Sequence, residues 1–364
     1  MPLKEYITEL QRSFKVKPDP GWISSLHRRK VSVALEPVDA KGDTKMTSTR
    51  TNSIRSCHIA WSIIFAPVLG LALSAPSLSA QQAASSGGVP VRVVVTVEAR
   101  HGKDIPVVNR EDVIVHQGRD RAQVTDWLPL RGDHAGLELF LLLDDASNAS
   151  LGLQLDGLRK FINAQPATTS IGVGYMRNGT VAILQNLTTE HASAAKTLRL
   201  PLGSVGASPY LSVVDLIKHW PESPVRREIL MISSGIDPLG GGPSNPYLDS
   251  AIEQAQRGGI LIYAIYATGA GHFGHSFWRL NWGQNNLSRL ADETGGEAYF
   301  LGFQTPLDFA PYLEDLTKKL NHQYFLTFLA KPGKKAGFQG IKLETEVPNV
   351  ELVAPDKVYV PATP

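Results

Sequence analysis

Residues 137–150 read LELFLLLDDASNAS, an apolar run that breaks into two aspartates and then small polar residues. The run reads as a buried strand that ends in carboxylate, hydroxyl and amide groups, a composition that suits the rim of a site. Three readings stay open at this point: a working metal loop, the remains of one, or a polar loop. In the last, Ser147 or Ser150 caps a following helix.

On either side, apolar strands alternate with helical periods. Strand-like runs are SIGVGYMR (170–177), TVAILQNL (180–187), REILMISS (227–234), GILIYAIYA (259–267) and EAYFLG (297–302). Between them LGLQLDGLRKFINAQ, TTEHASAAKTLRL, SPYLSVVDLIKHW, NPYLDSAIEQAQRG, NNLSRLADETG and PLDFAPYLEDLTKKL carry helical spacing. Ser208-Pro209, Asn245-Pro246 and Thr305-Pro306 mark helix starts; Gly258 and Gly295 mark stops. The first pair of runs after residue 150 is a hairpin turning at Asn178-Gly179. The rest is βα alternation with continuous apolar strands, which predicts a mostly parallel sheet covered on both faces. Ligands of such open sheets bind beyond the carboxyl ends of the strands, where the opening stretch stops.

Further out, both ends are β-rich. VRVVVTVEARHGKDIPVV and REDVIVHQGRDRAQVTDWLPL alternate β-branched and polar residues, too few strands to close a sandwich alone. HQYFLTFLA, GIKLETEV, VELVAP and KVYVP supply the remainder. The expected organisation is an N-terminal strand region at 91–130, an α/β domain at 135–320, and C-terminal strands at 322–362 that pair with 91–130.

The first 90 residues read differently. MTSTRTNSIRSCH, from Met46, precedes the apolar run IAWSIIFAPVLGLALS and then APSLSAQQ. Basic, apolar and small-residue segments in that order describe a secretory signal at 46–80, cleaved after Ala80. Residues 1–45 are then an upstream, disordered product of start-site choice, and 81–90 a flexible linker. The expected location is periplasmic or secreted; an uncleaved N-terminal membrane anchor is the alternative. The one cysteine, Cys57, lies before the apolar run, so the mature chain has no disulfide.

Composition narrows the function. The 364 residues are 43% hydrophobic and 19% charged, enough for a sizeable core, and the net charge of +2 argues against nucleic acid as a partner. No G-x-S-x-G, H-E-x-x-H or P-loop occurs. G-x-G-x-x-G at Gly269, Gly271 and Gly274 follows a strand, but the loop runs on through Phe277, Trp278 and Trp282, so no nucleotide cofactor is expected. His272 and His275 in that loop make an H-x-x-H pair without a third ligand nearby; with Trp278 they read as a lid or recognition surface, or as groups packed on their own domain. Arg131-Gly132-Asp133 and the sequons at Asn148, Asn178 and Asn186 are short enough to recur by chance.

The order of elements, with LLLDDASNAS, REILMISSGIDP, RGGILIYAIYATG and LADETGGEAYFLG, resembles von Willebrand factor A (VWA) domains. More closely, it resembles exported bacterial VWFA-related proteins over about residues 91–360. The resemblance implies a VWA-like, Rossmann-like doubly wound sheet flanked by a small β-sandwich-like domain built from N- and C-terminal strands. It also implies a metal-ion-dependent adhesion site, in which an Asp-x-Ser-x-Ser loop, a second-loop Thr and an Asp after the fourth strand hold a divalent cation. Here that pattern is broken. From Asp144 the serine positions hold Ala146 and Asn148, from Asp145 they hold Ser147 and Ala149, and Ser233-Ser234-Gly235 replaces Thr-Asp-Gly. Ser208 or Ser212 stands in for the threonine, and Asp237 offers a carboxylate near the rim.

The expected function is therefore adhesion-type recognition of a protein or cell-surface partner, with a degenerate ion site. A hydrolase-like enzyme using the same pocket is the alternative, and a structural or assembly module comes third. The candidate rim is Asp144, Asp145, Ser147, Asn148, Ser150, Ser208, Ser234, Asp237, His272, His275 and Trp278. No catalytic residue is named. No organic cofactor is expected. Magnesium or another divalent cation is the one candidate ion, with Asp144, Ser147 and Asp237 as its candidate ligands.

Overall fold

The computed structural model describes residues 88–203, 208–240, 242, 244–269 and 271–362. The readings of 1–45, of the signal 46–80 and of most of the linker 81–90 fall outside these residues. Three strands come first: β1 (Val89–Ala99), β2 (Val113–Gln117) and β3 (Asp120–Pro129). Next come β4 (Leu137–Asp144), helix α1 (Leu155–Asn163), β5 (Thr169–Arg177), β6 (Thr180–Thr188), α2 (His191–Lys196) and α3 (Pro209–His219). They are followed by β7 (Arg226–Ser233), α4 (Pro246–Gly258), β8 (Ile260–Tyr266), α5 (Phe277–Thr294), β9 (Ala298–Tyr299) and α6 (Ala310–Leu320). Four strands finish the chain: β10 (Gln323–Ala330), β11 (Gly337–Thr345), β12 (Val350–Val353) and β13 (Lys357–Val360).

The six-stranded sheet runs β6-β5-β4-β7-β8-β9. Counted within the domain this is 3-2-1-4-5-6, the doubly wound order, parallel except for the β5–β6 hairpin. The hairpin closes on Asn178 and Gly179, both at positive φ, as a two-residue turn between right-twisted strands requires. Side chains of β4 alternate between two cores. Leu137, Leu139, Leu141 and Leu143 pack with α1, α2 and α6; Phe140 and Leu142 pack with α3, α4 and α5. The apolar run of β4 is thus explained by burial on both faces.

The terminal strands make one curled antiparallel sheet, ordered β12-β1-β10-β3-β2-β11-β13. Its β1 lies between β12 and β10, so both chain ends share one hydrogen-bonded ladder. Val95, Val115, Leu326, Phe328 and Val358 fill its core, and Trp127 stacks on Tyr324 at 4.4 Å. Lys319, on α6, ties the two sheets by ion pairs to Glu98 (2.8 Å) and Glu297 (2.9 Å).

Three local expectations are corrected. The strand at 297–302 is only Ala298–Tyr299, because the chain turns at once into a Leu301–Gln304 bridge. The last helix begins at Ala310, not Pro306; residues before it are held by Gln154, which bonds Leu307 O and Phe309 N. Phe277–Trp282 belong to a helix rather than a continuing loop. Gly283 lets this helix's backbone approach Gly235, which is at φ +68, so closely that a Cβ on either would clash with the other segment.

Candidate functional site

The carboxyl ends of β4, β7 and β8 meet where the sequence places the rim. Asp144 is the last residue of β4 and is buried. Its Oδ2 accepts from Ser233 Oγ at 2.7 Å and its Oδ1 from Ala146 N at 2.8 Å. Burial pushes its carboxyl up to about 6, against the pull of those two hydrogen bonds, with Asp145 adding to the rise.

Asp145 has a different partner, one that the sequence reading did not find. Arg199 donates from both terminal nitrogens to its two oxygens, at 2.7 and 3.0 Å, and Leu202 N adds a third bond at 2.9 Å. Burial works against ionisation of Asp145, but the guanidinium and the amide outweigh it and hold the carboxyl below its ordinary range. The Arg199 guanidinium lies 3.9 Å from the Tyr175 ring centre, and the Tyr175 hydroxyl bonds the Arg199 backbone. This arrangement pins residues 199–202 onto the end of the sheet. Arg199 lies 54 residues from Asp145, so no local spacing announces the pair.

Asp237 forms a third group. It accepts from Ser208 Oγ (2.9 Å), Asn245 Nδ2 (3.1 Å) and Leu239 N (2.9 Å), beside a small cleft bounded by Pro238, Arg279, Trp282 and Asn286. Ser212 bonds Ser208 O and Thr180 O instead of facing this group. Ser234 Oγ is buried and accepts from Ile236 N. Tyr210 donates to Gly235 O at 2.7 Å; burial first, then Asp237 and Asp144, hold its phenol protonated. No hydrogen bond among the described residues joins the Asp144, Asp145 and Asp237 groups to one another.

Ser147 and Asn148 serve as loop staples. Ser147 bridges Gly269, where a Cβ would meet Ala146 O and Ser147 Cα at 2.6 Å, so this glycine of the G-x-G-x-x-G is needed for contact with the Asp144 loop. Asn148 bonds Thr268 by backbone and side chain, and Thr268 bonds Thr305. Neither Ser147 nor Ser150 caps the turn that follows. Asn148 takes the cap position of the 3-10 turn Ala149–Gln154 without a side-chain bond, and Ser150 is exposed. His275 and Trp278 are exposed at the end of the 3-10 turn Gly271–His275 and the start of α5; the His272 side chain lies outside the described atoms.

A hard divalent ion needs several carboxylate, hydroxyl and water oxygens at short range. The oxygens of Asp144, Asp145 and Asp237 already accept two, three and three hydrogen bonds respectively, three of them from charged or amide side chains. Ser147 Oγ is buried without a partner, but one hydroxyl does not hold such an ion. No cluster of three His, Cys, Asp or Glu side chains suited to a metal occurs among the described residues. The three carboxylates are thus each held by the chain's own donors, in three separate groups and not around one point.

What the rim does expose is apolar. Among the described residues, most of the large apolar side chains open to solvent lie on the loops, turns and helix start at this end of the sheet. They are Leu153 after β4, Leu200 and Leu202 between α2 and α3, Leu239 after β7, Phe277 and Trp278 after β8, and Phe300, Leu301 and Leu307 after β9. Leu307 is 99% exposed, Leu153 82% and Trp278 66%. The loops touch: Leu200 packs at Gly152, Gln154 binds the Leu307 carbonyl, and Phe277 meets Phe303 edge-on at 5.3 Å.

No protein-family model matches this chain, and no curated protein does. Solved structures give distant likenesses. The human COPII-coat protein Sec24c aligns with 63% of the chain at 8% identity and a TM-score of 0.38, and the chain spans only 44% of its length. The ArnB paralog VWA2 from Sulfolobus acidocaldarius aligns with 75% of the chain and 76% of its own, at 9% identity and a TM-score of 0.36. The vWF domain of the type V pili tip protein Mfa5 from Porphyromonas gingivalis aligns with 54% of the chain and 96% of its own, at 11% identity and a TM-score of 0.38. Likeness this distant carries no argument, so the assignment rests on strand order and strand direction. By these, residues 137–320 have a von Willebrand factor A-like fold, set beside an antiparallel sheet built from both chain ends.

Proposed function

We propose that the protein is a non-enzymatic binding protein. It recognises a protein partner, free or at a cell surface, through the apolar rim at the carboxyl end of its parallel sheet. The observation that carries this reading is the concentration of exposed leucine and aromatic side chains on the segments that follow the strands at that end. Contiguous apolar surface open to water is costly unless a partner covers it. Asp145 and Arg199 act by positioning: their pair holds the segment that presents Leu200 and Leu202. Recognition then rests on burial of apolar side chains, and the partner need not offer a carboxylate to an ion.

Export belongs to the same proposal. The basic, apolar and small-residue order of 46–80 supports a cleaved signal and a periplasmic or secreted protein. Sequencing the N-terminus of the mature protein tests it, with Gln81 as the expected first residue.

The rim is tested by photo-crosslinking in the cells that make the protein, with a photoreactive residue at Leu153, Leu202 or Leu307. Val107, exposed but on the connection between β1 and β2, is the control. The expected result is one heavier protein species from rim positions, lost when Leu202→Glu and Leu307→Glu are combined at the other rim sites. Equal adducts from Val107, or adducts indifferent to the double variant, would overturn the proposal.

A further inference from the structure

At the opposite end of the parallel sheet lies a second cleft, formed between that sheet and the curled one. Including its open mouth it measures about 830 Å³. Its walls come from β1, the start of β7, the end of α4, β10 and β13. Five cationic side chains line it, Arg92, Arg226, Arg227, Arg257 and Lys357, and no carboxylate does. The whole chain carries a net charge of only +2, so this concentration is local. The nearest acids along the chain are the exposed Glu222, whose charge acts on Arg227; Glu228, buried beneath Arg226; and Asp356, which has a partner of its own.

The cations divide into two layers. Arg226 and Arg227 are buried and structural. Arg226 donates to Leu320 O, and Arg227 caps the C-terminal carbonyls of α4 by bonding Gly258 O, which removes the negative end of that helix from the cleft. Arg92, Arg257 and Lys357 are exposed at the mouth, with no ion-pair partner among the described residues. Arg92 stacks 4.5 Å from the Phe325 ring centre and Arg257 4.2 Å from that of Tyr359. Stacking occupies the face of a guanidinium and leaves its N–H edge free, already oriented for a carboxylate to accept two bonds. Between the cations the floor is apolar, with Val91, Val93 and the Phe325 ring.

We propose that this cleft binds an acidic, partly apolar peptide segment, whose carboxylates meet Arg92, Arg257 and Lys357 while an apolar side chain fills the floor between them. The mixture of apolar floor and cationic mouth selects this class: a free phosphate or polyphosphate leaves the floor empty. The site is independent of the rim, so one molecule holds a partner at each end of its sheet.

The test is fluorescence anisotropy of the full chain with a labelled peptide of alternating glutamate and leucine, at low and at physiological salt. The expected result is saturable binding that weakens with salt. Arg92→Glu, Arg257→Glu and Lys357→Glu combined should weaken it by about tenfold or more. Lys103→Glu, Lys334→Glu and Lys335→Glu carry the same net charge change at exposed sites away from the cleft and should leave it within about twofold. Circular dichroism reports whether each variant is folded; if the triple cleft variant is not, Lys357→Glu alone with a neutral glutamine–leucine peptide makes the same comparison. Equal loss in both triple variants, equal binding of the neutral peptide, or displacement by inorganic polyphosphate without binding of the acidic peptide would each overturn the assignment.

Discussion

Arg199 holds Asp145 by two parallel bonds of 2.7 and 3.0 Å, and the carboxylate is wholly buried beneath it. Removing one partner of such a pair leaves a buried charge unmatched. Arg199→Ala should therefore cost about 3 kcal/mol in a urea titration. Arg199→Lys should recover only part of that, since an ammonium neither bonds two oxygens nor stacks on Tyr175 in the same way. Asp145→Asn should be milder, because it leaves no buried anion. A loss below about 1 kcal/mol for Arg199→Ala would place the pair with ordinary surface ion pairs.

Because donors of the chain itself occupy the rim carboxylates, divalent ions should not stabilise the fold. Thermal unfolding should give the same midpoint with millimolar magnesium, manganese, calcium or chelator. A midpoint that rises with one ion and falls on chelation would show a ligand set other than the one described.

Two buried carboxyls give the fold a pH dependence of defined sign. Burial raises Glu228 from 4.5 to about 7, although Arg226 and then Gln323 pull it down, and raises Asp144 from 3.8 to about 6. Each folded group keeps its proton longer than the unfolded chain does. Stability is therefore fully present below the unfolded values and falls as pH rises through these windows, by about 3 kcal/mol per group. Glu228→Gln should flatten the fall between 4.5 and about 7. An unchanged slope in denaturant titrations across that range would contradict the assignment to Glu228.

Both chain ends lie in one ladder, with β1 between β12 and β10 and β2 between β3 and β11. Deleting Leu343–Pro364 should therefore expose amides of 91–99 and 113–117 to hydrogen exchange. Full protection of 91–128 in the truncated chain would mean that the N-terminal strands stand alone.

Much of the fold was legible because burial on two faces leaves a period-free apolar run, as in LELFLLLD, and because Asn178-Gly179 and Asn245-Pro246 are local signals. Asn245 does cap α4, accepting from Tyr247 N and Leu248 N. The start of α5 was not legible. FWRLNWGQNN is poor in strong helix formers, and its helix is stabilised by the backbone contact of Gly283 with the Gly235 turn, a tertiary effect. At the site, the position of Asp144 and Asp145 followed from where their strand ends. Their chemistry did not, because Arg199 reaches Asp145 across the fold and Ser233 reaches Asp144 from 89 residues away. Of the apolar rim only the Phe277–Trp278 part was legible; its leucines are spread over four separate segments of the chain and become a surface only when the sheet gathers them.

In the proposed function this rim recognises a protein partner by apolar contact without an ion. Photo-crosslinking from Leu307, carried out in matched samples with and without chelator, tests it most directly. The same adduct should form in equal yield in both. An adduct that disappears with chelator and returns with magnesium would contradict it.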